Sequence, residues 1–220
     1  MMTTEEYLEA PGRIAIVGDD PLTLELALYG RFLGFDVKVF APGTIGSEFS
    51  ELRETVLPLM PDRALSPLAF SALRAQTEDF AGQPLPTSVG GWIDDALLPL
   101  AETDLLRGRV HSNVSIDSCS MVSVESDETA NEEEAVEDYA IGYTNDVGDS
   151  ERWVAEAIVV YGNHCDQLFD NSMPYIRRWE CCDLEKLEES LVRGYSKIAE
   201  LFASWTDRPE LDLYQTRWRR

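Results

Sequence analysis

The sequence predicts an α/β protein, in which helices flank a parallel β-sheet and an antiparallel β-meander is inserted part-way along the chain. Two observations carry this prediction. Residues 13–40, RIAIVGDDPLTLELALYGRFLGFDVKVF, have the pattern of a strand, a helix and a second strand. Residues 157–161, AIVVY, form a continuous apolar run, which is typical of a strand buried in a parallel sheet.

The first strand–helix–strand unit follows from three local patterns. Arg13–Val17 is a short apolar run that ends at Gly18, and Asp36–Phe40 alternates as a strand does. Between them, the apolar residues of Leu22–Leu33 keep helical spacing, and Gly34 ends the helix. Because such a crossover is right-handed almost without exception, we expect both strands in one parallel sheet.

The remaining elements are predicted from shorter patterns. Residues 41–67 contain four prolines and two glycines, so we expect a long irregular connection with a helical turn near 49–56. Asp183 is expected to cap a final amphipathic helix, because apolar residues follow it at spacings of three and four. The other predicted elements are helices at 68–76 and 92–106 and meander strands at 110–116, 119–124, 139–143 and from Trp153 onward.

We expect residues 1–220 to form a single domain, because a chain of this length can bury a sizeable core. The predicted parts are the βαβ unit at 12–43, a helical excursion at 44–108, a β-meander with an acidic loop at 109–156, and a return strand with the C-terminal helix at 157–220. The polar N-terminus, the few cysteines and the lack of a long apolar run favour a cytoplasmic location.

The net charge of −23 argues against nucleic acid and anionic membranes as partners. We expect an unknown protein partner or a small molecule instead. Residues 125–156 hold twelve acidic side chains and one base, so the loop at 125–138 is either a solvated hairpin loop or a docking surface for a basic partner. The C-terminal TRWRR is the one basic cluster, and it could contact acidic residues of its own chain or of a second subunit in a homo-oligomer.

Two segments carry a resemblance to a known family. LELALYGRFLGFDVKVF and LLPLAETDLLRGRV resemble bacterial FAD/NAD(P)-dependent oxidoreductases, and the order of elements from Arg13 to Tyr214 resembles the FAD-binding domain of glutathione-reductase-like flavoproteins. The resemblance implies a Rossmann-like FAD/NAD(P)-binding fold and an oxidoreductase-like chain. The family normally adds a second dinucleotide-binding domain, for which this chain is too short.

The phosphate-binding motif of that family departs from its pattern here. The family has G-x-G-x-x-G after the first strand, whereas this chain has Gly18, Asp19, Asp20, Pro21, Leu22 and Thr23. Asp20 would bring a carboxylate within about 5 Å of a phosphate, which costs roughly 3 kcal/mol per charge pair at an effective dielectric constant near 20. Thr23 adds bulk where the helix should pack closely on the strand.

Two further family features are also missing. Ala41 stands where the family has an acidic residue for the adenosine ribose, and IVVYGNH offers no aspartate before Gly162. The family's phosphate and ribose contacts thus fall on Gly18, Asp19, Asp20, Thr23 and Ala41, a mostly degenerate set. We expect no bound cofactor, with FAD as the alternative, and we assign no catalytic or metal-binding residue.

Other interpretations of these residues predict different chemistry. Asp19 and Asp20 could simply cap the following helix. They also resemble the paired acids of a response-regulator receiver, with VLPLMPD as its later segment, but the phosphoacceptor position would fall on Leu57 and the meander has no place in that fold. His164, Cys165, Cys181 and Cys182 lack the usual spacing of zinc ligands, so we interpret the cysteines as ordinary thiols.

The sequence therefore predicts a non-catalytic binding or regulatory protein with a degenerate dinucleotide site. The alternatives are an FAD- or NAD(P)-dependent oxidoreductase with altered cofactor contacts, and a protein that binds a small molecule in the crevice beyond the strand ends.

Overall fold

The structure is a computed structural model, and it describes residues 12–76, 84–124, 136–162, 167–169 and 175–214. Its strands are β1 Arg13–Val17, β2 Asp36–Ala41, β3 Val110–Ser112, β4 Ser115–Val124, β5 Val136–Thr144, β6 Ser150–Ala155, β7 Ala157–Tyr161 and β8 Ile176–Trp179. Its α-helices are α1 Pro21–Phe32, α2 Pro67–Gln76, α3 Val89–Trp92, α4 Leu98–Ala101 and α5 Leu187–Trp205. A π-helical turn at Ile93–Leu97 joins α3 to α4, and short 3₁₀ helices occupy Ser47–Leu52, Pro61–Arg63 and Leu184–Lys186.

A five-stranded parallel sheet organises the molecule, with strand order β3-β2-β1-β7-β8. Strand β1 lies at its centre, where Ile16 pairs with Val39 of β2 on one side and with Val159 of β7 on the other. Both neighbours are parallel because α1 carries the chain from β1 to β2, and the excursion and meander carry it back to β7. The strand order reverses between β1 and β7, which makes the carboxyl ends of these two strands the topological switch point of the sheet.

Alternate side chains of the central strands face two separate cores. Ile14 and Ile16 of β1 pack with the helices, whereas Ala15 and Val17 pack with the meander. The period of two is that of a β-strand, and all four side chains are fully buried. The continuous apolar runs of β1 and β7 are therefore explained by burial on both faces of the sheet.

Helices α1 and α5 cover one face of the sheet and pack on each other. At the crossing, a Cβ atom on Gly194 of α5 would lie 2.4 Å from Cδ1 of Leu22 in α1, so a larger residue there would have to displace the Leu22 side chain. Further along the same pair, the rings of Tyr29 and Phe202 stack with their centroids 5.0 Å apart. The amphipathic pattern predicted for the C-terminal helix thus places its apolar face on α1.

The antiparallel sheet β4-β5-β6 covers the opposite face of the parallel sheet. Lys38 of β2 fixes the two sheets together, since its Nζ donates to Tyr143 Oη at 2.9 Å and lies 5.1 Å from the Tyr143 ring centroid. Phe40 and Trp153 complete an aromatic surround of this ammonium, each with its ring centroid 5.8 Å away.

The predicted fold class is confirmed, because the chain has a parallel sheet with flanking helices and an antiparallel meander. Two element predictions need correction, and one strand is additional to them. The predicted strand at 110–116 is divided, since Val110–Ser112 joins the parallel sheet beside β2 and the meander begins at Ser115. The helix predicted to Leu106 ends at Ala101, and β8 was not predicted.

The division into the four parts given above stays a prediction. Most of the acidic loop at 125–138, the pair His164 and Cys165, and the C-terminal TRWRR lie outside the described residues. Within the described residues, no helix has the length and apolar character needed to cross a membrane.

Candidate functional site

The turn between β1 and α1 lies at the switch point and approaches β7 very closely. Gly18 has φ +140°, and a Cβ atom there would lie 2.9 Å from Cβ of Tyr161. Its N–H donates to the Phe40 carbonyl at 3.0 Å, which ties the turn to β2 as well. The positive φ and the close approach to Tyr161 both favour glycine at this position, which is the one glycine of the family's motif that this chain keeps.

Asp20 occupies the beginning of α1 with its own carboxylate. The side chain is fully buried and accepts a hydrogen bond from the Leu22 N–H at 2.7 Å, as a helix N-cap does. The second oxygen accepts from the Cys182 N–H at 2.5 Å, so the segment after β8 is fastened to the same residue. The N–H groups of Leu22 and Cys182, which could otherwise meet an anion at the start of α1, are thus bonded to a carboxylate of the chain itself.

Asp19 fastens a second segment to the turn. Its carboxylate accepts a hydrogen bond from Ser47 Oγ, and its carbonyl accepts from the Gly46 N–H at 2.7 Å. The beginning of the irregular connection after β2 therefore folds over the turn. The helix-cap interpretation holds for Asp20, whereas Asp19 contacts this connection instead of capping α1.

Glu48 completes what we call the acidic turn, which consists of Asp19, Asp20 and Glu48 with Cys181 and Cys182 against it. Burial and the nearby Asp20 raise the pKa of Glu48 to about 9. Burial also raises the pKa of Asp20, although hydrogen bonds from Cys182 and Leu22 act in the opposite direction. These carboxyls therefore favour a proton or a cation nearby and disfavour any added negative charge.

The two neighbouring thiols are held in their protonated form. Burial, followed by the carboxylate of Asp20, raises the pKa values of both Cys181 and Cys182. A protonated thiol is a poor nucleophile and a poor metal ligand. Both cysteines are free, which agrees with their interpretation as ordinary thiols.

One set of potential metal ligands does exist here. Ligand atoms of Asp20, Glu48 and Cys181 all lie within 4.8 Å of one another. The carboxylate of Asp20 is already bonded to two backbone N–H groups, and the thiol has a raised pKa. These three side chains therefore lie together because they close the acidic turn.

The other two predicted positions lie at the same edge of the sheet. Thr23 is fully buried in the first turn of α1, and its Oγ1 has no hydrogen-bond partner among the described residues. Ala41 is the last residue of β2 and is also fully buried, and its carbonyl accepts from the Val114 N–H at 3.1 Å. Their role as the family's packing and ribose positions stays a prediction.

Sequence reasoning missed the partners that close the turn. Ser47 is 28 positions from Asp19, and Cys182 is 162 positions from Asp20. No local pattern signals such contacts. Glu48 could have been found only by considering every acidic residue in the connection after β2.

Comparison with known proteins gives the following matches. A bacillithiol disulfide reductase from Bacillus cereus has a TM-score of 0.46 and 16% identity, with 68% of this chain and 39% of the other covered. A flavoprotein/dehydrogenase from Cytophaga hutchinsonii has a TM-score of 0.41 and 16% identity over 67% and 38% of the two chains. A myxobacterial chondrochloren halogenase, described as a variant of FAD-dependent halogenases, has a TM-score of 0.40 and 14% identity over 69% and 38%.

The part that matches this chain thus spans about two fifths of the length of each of these three proteins. No family model matches the sequence, and no curated protein matches it. The chemistry of the site is accordingly inferred from the residues of this chain.

Proposed function

We propose that this chain is a non-catalytic binding protein built on a FAD/NAD(P)-binding fold, with its own acidic turn where a dinucleotide diphosphate would lie. One observation carries the proposal. The buried carboxylate of Asp20 accepts the N–H groups of Leu22 and Cys182, at 2.7 Å and 2.5 Å. The cytoplasmic location expected from the sequence remains part of this proposal.

Electrostatics support the proposal as strongly as the hydrogen bonds do. A helix N-terminus attracts an anion because of its free N–H groups and its dipole. Here Asp20 uses that field, and Asp19 and Glu48 add carboxyls on the same side. A diphosphate would have to displace the Asp20 carboxylate and then remain among these groups. The raised pKa of Glu48 indicates that negative charge is unfavourable at this place.

The alternative predicted from the sequence is an FAD- or NAD(P)-dependent oxidoreductase with altered cofactor contacts, and the two thiols argue against one form of it. A disulfide-reducing flavoprotein needs a thiolate, and a thiolate forms readily only where the surroundings are electropositive. Burial, together with the nearby carboxylate of Asp20, instead raises the pKa values of Cys181 and Cys182. We therefore propose binding rather than thiol-based redox chemistry at this edge of the sheet.

The experiment measures cofactor binding to the whole chain. Purified protein is expected to show no flavin absorption near 450 nm and no thermal shift with FAD, FMN, NAD or NADP. A ligand raises the melting temperature only if it binds the folded state, and we expect none of these four to do so. A yellow product, or a rise in melting temperature with micromolar FAD, would contradict the proposal and favour the FAD-dependent oxidoreductase.

A variant tests whether Asp20 is the cause. Asp20→Gly removes the carboxylate, and its melting temperature should rise more with FAD than that of the unaltered chain. Asp183→Gly is the matched control, because Asp183 also caps a helical turn but is exposed. Equal FAD affinity in all three proteins would show that Asp20 does not block the site.

A further inference from the structure

A second feature of this sheet edge is a cavity of about 250 Å³ beside α5. Tyr161 and Trp179, the last residues of β7 and β8, line it, and so does Leu22 from the first turn of α1. The cavity thus lies at the carboxyl ends of parallel strands, on the β7–β8 side of the switch point, where open α/β sheets bind ligands. Its volume is just below the ~300 Å³ at which ordinary ligand pockets begin, so it suits a small metabolite.

Three cationic side chains of α5 and the turn before it line this cavity, and they are unusual in so acidic a chain. They are Lys186, Arg193 and Lys197, from a protein with 18 basic and 41 acidic residues. Among the residues that the structure describes, none of the three forms an ion pair with a carboxylate. Their charges are therefore available to an anion.

The acidic residues of the lining do not cancel these charges. Glu180 and Asp183 also line the cavity, so its ionisable side chains sum to a charge of plus one. Asp183 directs one carboxylate oxygen to the Glu185 N–H at 3.0 Å, where it caps the turn before α5. A cavity with net positive charge on a protein of charge −23 is a local reversal of sign.

A buried hydroxyl beside the cavity also has no partner. Tyr161 is fully buried, and its Oη makes no hydrogen bond within the described part of the chain. Buried hydroxyls are normally bonded, so an unbonded one in a residue that lines the cavity marks this part of the fold as unusual. The ring of Tyr161 meets Trp179 edge-on with centroids 5.5 Å apart, and the partly exposed Trp179 ring offers an apolar wall for a carbon skeleton.

We propose that this cavity binds a small organic anion, namely a carboxylate or a phosphate monoester with a short carbon skeleton. The anionic group lies among Lys186, Arg193 and Lys197, and the carbon skeleton lies against Leu22 and Trp179. This inference rests on the proposed binding function and names its ligand class. Charge-assisted hydrogen bonds from an arginine supply the directional part of the recognition.

The test is isothermal titration of the full chain at constant ionic strength. The probes are succinate, citrate and glycerol 3-phosphate, with inorganic phosphate and uncharged glycerol for comparison. At least one organic anion should bind, and it should bind at least tenfold more tightly than inorganic phosphate. Arg193→Gln combined with Lys197→Gln should weaken that binding at least tenfold.

The matched control is Arg107→Gln combined with Arg208→Gln, which removes the same charge from exposed positions outside the cavity lining. It should change the affinity by less than twofold. Absence of binding by all three organic anions, or equal weakening in both double variants, overturns the ligand assignment. Thermal melts of both variants confirm that they fold.

The two proposals fail in different ways. Binding of FAD to the unaltered chain overturns the proposed function, whatever the small anions do. Absence of binding by both FAD and the organic anions leaves the acidic turn as described and overturns only the cavity's ligand.

Discussion

The acidic turn and the cavity beside α5 are neighbours with opposite properties. Leu22 belongs to both, since its N–H is bonded to Asp20 and its side chain lines the cavity. In the acidic turn, the carboxylates are bonded to backbone and side-chain groups of distant segments. In the cavity, cationic side chains and one buried hydroxyl lack partners among the described residues. The comparison teaches that a polar group bonded within the chain stabilises the fold, whereas one left without a partner is available to a ligand.

The largest expected effect is on the acidic turn. Asp20→Ala leaves the buried N–H groups of Leu22 and Cys182 without acceptors, at a cost of about 1–3 kcal/mol each. We expect the free energy of unfolding, measured by urea titration, to fall by about 4 kcal/mol.

Asp183→Ala provides the control for that measurement. Asp183 caps an exposed turn, so its loss should cost about 0.5 kcal/mol. Equal losses in the two variants would mean that the closure of the acidic turn adds nothing beyond an ordinary helix cap.

Proton binding distinguishes helix α1, which begins at the acidic turn, from the cavity, because α1 carries the buried carboxyl of Glu25 and no buried carboxyl lines the cavity. Glu25 is buried, accepts from Ser66 Oγ at 2.8 Å, and has a pKa raised by burial from 4.5 to about 7. Between these two pH values the folded state binds more protons than the unfolded state. Stability contributed by this group is therefore full below pH 4.5 and is lost as the pH rises to 7, by at most about 3 kcal/mol.

Glu25→Gln removes this titration and keeps an acceptor for Ser66. Urea titrations at several pH values should show a smaller loss of stability between pH 4.5 and 7 than in the unaltered chain. Glu210→Gln, an exposed change, should leave the pH dependence as it was. A Glu25→Gln profile parallel to that of the unaltered chain would mean that Glu25 titrates normally.

Thiol chemistry distinguishes the acidic turn in a third way. Burial and nearby carboxylates raise the pKa values of Cys181 and Cys182, so few thiolates form at pH 8. Alkylation followed by peptide mass spectrometry should be at least tenfold slower at these two residues in the native protein than in urea. Native rates equal to those in urea would indicate that the turn opens readily.

The sequence predicted the part of the fold that depends on local pattern. Apolar periodicity located β1, α1, β2, β7 and α5, because burial on one or both faces imposes that periodicity. The boundary between β3 and β4 was missed because Asn113 has φ +56° and turns the chain from the parallel sheet into the meander. β8 was missed because Ile176–Trp179, with two arginines among its four residues, lacks an apolar run.

The site was predictable only where it is local. Capping of α1 by Asp20 follows from residue type and position, and the structure bears it out. The bond to the Cys182 N–H joins residues 162 positions apart, and the cavity lining combines α5 with the ends of β7 and β8 and the first turn of α1. Such groupings depend on tertiary packing, which no window of sequence encodes.

The smallest expected effect is an increase in the free energy of unfolding, whereas the changes at the acidic turn decrease it. Tyr161→Phe removes a buried hydroxyl that has no partner among the described residues, so the free energy of unfolding should rise, by up to about 1 kcal/mol. Tyr143→Phe is the matched control, because the Tyr143 hydroxyl is bonded to Lys38 and Glu151, and its loss should cost about 1 kcal/mol. A loss of stability at Tyr161 as large as that at Tyr143 would mean that this hydroxyl is bonded in solution, and the contrast between a closed turn and an open cavity would then fail.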